Sequence, residues 1–166
     1  TEYTVNFVDV DGDTVYPSVV RKGTVGDTVT EAAPVKSGYV TPSDQSLTLR
    51  MTGNVITFVY DPVHYNILYV LNGGTNNPAN PPSYTIKSSI ALKDPVKAGH
   101  TFAGWSPSGS IPAGSTGDRT FTAIWLANTH DIIYMVDGVE YARTANVPYG
   151  TDLTGYLIEE PTKVGH

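Results

Sequence analysis

One short pattern, Pro-[Val/Thr]-Lys-x-Gly-[Tyr/His], occurs three times in this chain. The copies are Pro34-Val35-Lys36-Ser37-Gly38-Tyr39, Pro95-Val96-Lys97-Ala98-Gly99-His100 and Pro161-Thr162-Lys163-Val164-Gly165-His166. The glycine of each lies 34 or 35 residues after the start of an apolar run, and these runs are Tyr3 to Phe7, Tyr65 to Tyr69 and His130 to Tyr134. Each run is followed by a turn pair, Asp11-Gly12, Asn72-Gly73 or Asp137-Gly138. Three landmarks in constant order and spacing make an internal repeat of about 62 to 65 residues. The chain therefore divides into modules 1–62 and 63–128 and the truncated start of a third, 129–166. A unit of this size buries only about 60% of its unfolded surface, so neighbouring units are expected to support one another.

Within module 1–62, Tyr3, Val5 and Phe7 alternate with Thr4 and Asn6, which is strand period. Asp11-Gly12 reads as a hairpin turn, and Val15 to Lys22 as the return strand. Pro17 inside that strand predicts an edge position or a bulge, because proline cannot donate to a ladder. Asp27 to Ala33 is expected to be a short helix, with Asp27 as N-cap and Pro34 beyond its end. Leu47, Leu49 and Met51 alternate again, and Val55 to Tyr60 closes the module. Module 63–128 follows the same plan, with strands over Ile67 to Leu71, Ser83 to Lys87 and Thr120 to Trp125, a short helix or turn at Ser88 to Leu92, and a loop over Ser106 to Asp118. The third unit opens with strands over Ile132 to Val136 and Val139 to Thr144. A partial sheet of this kind must borrow contacts from the second unit or leave its end poorly ordered.

The net charge is −6 and only 16% of residues are charged, so the surface repels phosphate backbones and anionic lipid. Nucleic acid and membrane insertion are not expected partners. There is no cysteine, which removes disulfides and thiolate metal sites. No apolar run approaches the roughly 18 residues of a membrane span, and no signal peptide is visible. The break inside the third repeat predicts a fragment of a longer protein, carrying its targeting and anchoring regions elsewhere.

The second module resembles the Listeria–Bacteroides repeat, the B-repeat of internalin-type bacterial surface proteins. The resemblance rests on Tyr69-Val70-Leu71-Asn72-Gly73-Gly74-Thr75, on Pro95 to Trp105 and on Phe121-Thr122-Ala123-Ile124-Trp125. The first resembles the mucin-binding-protein (MucBP) repeat through Tyr3 to Gly12, Gly38-Tyr39 and Val55 to Tyr60. The third looks like the opening half of another Listeria–Bacteroides repeat. These resemblances imply a mainly β (α+β) fold of tandem small β-grasp (ubiquitin-like) modules, each a mixed sheet with one short helix or turn. They also imply an extracellular, Gram-positive cell-surface protein, anchored to the cell wall, that adheres to mucin or to another glycoprotein or polysaccharide. The alternative is a passive stalk that projects another domain.

No catalytic motif is present: there is no Gly-x-Ser-x-Gly elbow, no cysteine nucleophile and no phosphate-binding glycine loop, so no enzyme and no cofactor are expected. Asp9-x-Asp11-Gly12-Asp13 has the alternating carboxylates that open a calcium loop. The distal Glu of that loop is missing, since position 20 is Val20, and a hairpin tip explains Asp-Gly without a metal. The histidines share repeat positions with tyrosines, as His100 does with Tyr39, which predicts a ring that fills space and not a zinc ligand. Trp105 and Trp125 are expected in the core. Lys36, Lys97 and Lys163 recur just before the signature glycine, where solvent exposure is expected rather than an isopeptide bond. Exposed aromatic rings can stack on sugar faces, and the candidate ligand-binding residues are Tyr16, Tyr39 and Tyr84.

Overall fold

A computed structural model describes residues 1–159. The third signature copy, with Lys163 and His166, lies outside the described residues. The first six strands are β1 (Glu2–Asp9), β2 (Thr14–Lys22), β3 (Thr28–Glu31), β4 (Tyr39–Val40), β5 (Gln45–Thr48) and β6 (Val55–Pro62). They form a sheet of order β2-β1-β6-β4 and a separate ribbon of β3 with β5. The sheet is mixed. β1 runs antiparallel to β2 and parallel to β6, with Val5 beside Ile56 and Phe7 beside Phe58.

The next six strands are β7 (Tyr65–Val70), β8 (Ser83–Tyr84), β9 (Ile90–Ala91), β10 (His100–Ser106), β11 (Ser110–Ile111) and β12 (Arg119–Ala127). Their sheet has the order β10-β12-β7-β8, and β9 pairs with β11. With each number lowered by six this is the order of the first set, so the sequence repeat is also a repeat of topology. β13 (Thr129–Val136) and β14 (Val139–Pro148) make a two-stranded hairpin, the counterpart of β1 and β2, followed by a 3-10 turn at Leu153–Tyr156. The protein is mainly β with mixed sheets.

By compactness the described chain separates into two units. One holds Thr1–Leu68, Pro81–Leu92 and Ser110–Thr120, and the other Tyr69–Asn80, Lys93–Gly109 and the chain from Phe121. The core of the first is set by the strand alternation: Tyr3, Val5 and Phe7 from β1 share one face of the sheet with Ile56, Phe58 and Tyr60 from its neighbour β6, and Leu49 joins their cluster. Phe7 and Phe58 stack at 5.7 Å with nearly parallel rings, as expected of side-by-side residues in a parallel pair. In the second unit Phe102 packs edge-on against both Trp105 and Trp125.

Pro17 sits where expected on both counts. β2 is the sheet's edge, and its register with β1 shifts between Val5 and Phe7, opposite Pro17. The expected helix over Asp27 to Ala33 is not formed, and Thr28–Glu31 is strand β3. Its β-branched residues face a partner that the helix reading did not supply: Val29 lies beside Leu47, and Thr28 and Thr30 bond through their hydroxyls to Thr48 and Ser46. The expected return strand Ser83 to Lys87 is cut to two residues, because Ser88 N–H donates to Thr85 C=O and turns the chain.

Candidate functional site

The acidic turn is built from the end of β1. Alternation places Asp9 on the core side beside Tyr60, where it is 2% exposed. A carboxylate there needs partners, and it has them. Its Oδ1 accepts the backbone N–H groups of Asp11 and Asp13, each at 3.0 Å, which ties the hairpin tip together. Its Oδ2 accepts from the Lys87 ammonium at 2.7 Å, and the same ammonium donates to Asp11 Oδ2 at 2.6 Å and Asp13 Oδ2 at 2.8 Å. The Lys87 bond, with the two N–H groups, holds the Asp9 carboxyl below the usual range although burial pushes it up. The carboxylates of Asp11, Asp13 and Asp9 push the Lys87 pKa up.

Asp9, Asp11 and Asp13 are the one metal-like cluster of carboxylates and histidines among the described residues. A divalent cation would need the oxygens that now surround Lys87 Nζ. Lysine was invisible as a partner in the sequence because it lies 74 to 78 residues from the acids it joins.

The three candidate tyrosines separate. Tyr16 and Tyr39 are half-buried, and both lie edge-on to Tyr60. The Tyr16 hydroxyl donates to Val35 C=O, and the Lys36 ammonium sits 4.8 Å over its ring. Tyr84 is 2% exposed, donates to Gly117 C=O and accepts from Arg119, so it offers no ring face to a sugar. Beside Tyr16 opens an apolar groove of about 600 Å³ lined by Phe7, Tyr16, Pro17, Val19, Arg21 and residues 32–34. Next to it a polar network joins three residues. The Tyr3 hydroxyl donates to buried Glu31 at 2.7 Å, and Arg21 pairs with the same carboxylate at 3.4 Å. The bond to Glu31, then burial, push the Tyr3 pKa up.

His100 does fill space, edge-on to Tyr149. Trp105 and Trp125 are half-buried, and Trp105 Nε1 is a buried donor with no partner among the described residues. The signature lysines are less free than their turn context predicts. Lys36 covers Tyr16, and Lys97 donates to the backbone carbonyl of Asn72 at 2.9 Å.

In the second unit the block residues explain one another. Asn72 takes a positive φ of 49° at the turn, and its side-chain amide donates to Ala123 C=O at 3.1 Å. Trp125 Nε1 donates to Leu71 C=O at 2.8 Å. The three separated blocks thus close on one turn. Residues 65–123 match the Listeria-Bacteroides repeat domain. That repeat is found in bacterial surface proteins. No protein of curated function matches the chain. No helix among the described residues is long and apolar enough to cross a membrane.

Proposed function

We propose that the chain is a non-catalytic run of tandem modules from an extracellular bacterial adhesin. Its modules are read as 1–62, MucBP-like, then 63–128, a Listeria–Bacteroides repeat, then the start of another. The match over residues 65–123 carries this reading. The β-grasp assignment belongs to it as well, supported by the central parallel pair β1–β6 flanked by antiparallel strands. On this reading the parent protein is held at the Gram-positive cell wall through other regions.

The ligand class is a glycoprotein or polysaccharide, mucin included. The surface that fits it is the groove beside Tyr16, where an aromatic edge, an apolar floor and the Arg21 guanidinium lie together. Sugars bind such surfaces through ring faces and a few polar groups. A mucin and glycan array tests this: saturable binding to the chain is expected, lost in Tyr16→Ala under conditions where circular dichroism shows that the variant is still folded. Tyr39→Ala tests the second half-exposed ring in the same assay. Silence across a broad array would instead favour a stalk, a reading supported by the repeated topology.

A further inference from the structure

The two described signature glycines, Gly38 and Gly99, share an environment that the repeat alone does not explain. Gly38 has φ +83°, and a Cβ placed on it would come within 2.5 Å of Ile86 Cδ1. Gly99 has φ +68°, and a Cβ there would strike the ring of Tyr149. Ile86 and Tyr149 occupy the same kind of turn, each one repeat further along the chain. Thr85 C=O accepts from Ser88 N–H at 2.9 Å around Ile86, and Pro148 C=O accepts from Thr151 N–H at 3.2 Å around Tyr149. Thr24 C=O and Asp27 N–H close the corresponding turn around Val25 at 3.1 Å, so the turn is a local feature of every repeat.

A second contact recurs beside the first. Val63 N–H donates to Gly38 C=O at 2.9 Å, and Asn128 N–H donates to Gly99 C=O at 2.9 Å. Val63 opens the second module and Asn128 is the last residue before the third, so both donors lie at a junction between repeats. We propose that the Pro-x-Lys-x-Gly turn is a docking socket for the next repeat. Its missing Cβ admits the apolar tip of that repeat's first long turn, and its glycine carbonyl fastens the following junction. The partner of the signature is therefore the adjacent module, whether or not the array binds a glycan.

The sockets differ in detail. At the first, Lys87 follows the Ile86 tip and locks onto Asp9, Asp11 and Asp13, so the acidic hairpin serves as a clamp. At the second, Gly150 follows Tyr149 and there is no such clamp among the described residues; instead His100 packs edge-on to the Tyr149 ring at 5.9 Å.

Amide hydrogen exchange on the full chain, followed by NMR, tests the proposal. Ile86→Ser should speed exchange at Val63 by on the order of tenfold, leaving Asn128 and the β1–β6 ladder as they were. Tyr149→Ala should do the same at Asn128 alone. Lys87→Met, which removes the clamp and leaves the buried Asp9 carboxylate without its cation, should loosen Val63 more than the β1–β6 ladder. Unchanged protection at the matching amide, or uniform acceleration across the ladder, would overturn the socket and leave these side chains as ordinary packing.

Discussion

Single polar side chains carry much of the local order. Asn54 is 5% exposed, and its side chain accepts from Arg50 N–H and donates to Arg50 C=O, Glu2 C=O and the Thr1 hydroxyl. Asn54→Ala strands these groups and should cost about 2–3 kcal/mol in urea denaturation. The Lys87 clamp should show in pH. Asp9 has a lowered pKa, so its contribution is complete above about pH 5 and disappears as pH falls through the ordinary value of about 3.9 toward its own lower one. Lys87 has a raised pKa, so its share persists until strongly alkaline pH. The gap in urea midpoint between the wild type and Lys87→Met should therefore narrow from about pH 6 to about pH 3. A gap that stays constant would contradict the clamp. Calcium titration should give no heat, because the ammonium already holds all three carboxylates.

At the scale of elements, Phe58 on β6 is fully buried and stacked on Phe7, so Phe58→Ala should lose about 3–5 kcal/mol in the same assay. Replacing both Thr28 and Thr30 with Ala raises helix propensity and removes two hydroxyl pairs. It should destabilise by roughly 1 kcal/mol and yield no helix by circular dichroism. The strands β1, β6 and β12 were legible because alternation and burial of one face are written in adjacent residues. The segment at 28–31 was not. Asp27 and Pro34 imitate helix ends, and only the distant ladder partner at 45–48 decides for a strand. The burial of Tyr84 is hidden from its neighbouring residues for a related reason: its cover comes from Gly117 and Arg119, more than thirty residues away. The acidic turn was visible, but the cation it holds was not.

For the whole molecule, two successive sets of six strands share one topology and a third begins it again. The third hairpin does borrow contacts, since Tyr149 N–H donates to Asn128 C=O and the Tyr149 ring lies on Gly99. The repeat in the sequence thus marks a repeat in chain path, and its signature marks the joints. The most direct test is a map of backbone proton contacts by NMR on the uniformly labelled chain. It should place β1 between β2 and β6, and β7 between β8 and β12, with no strand of residues 1–62 inserted into the second sheet. Cross-peaks setting β1 beside β7 or β12 would contradict the serial repeat and everything inferred from it.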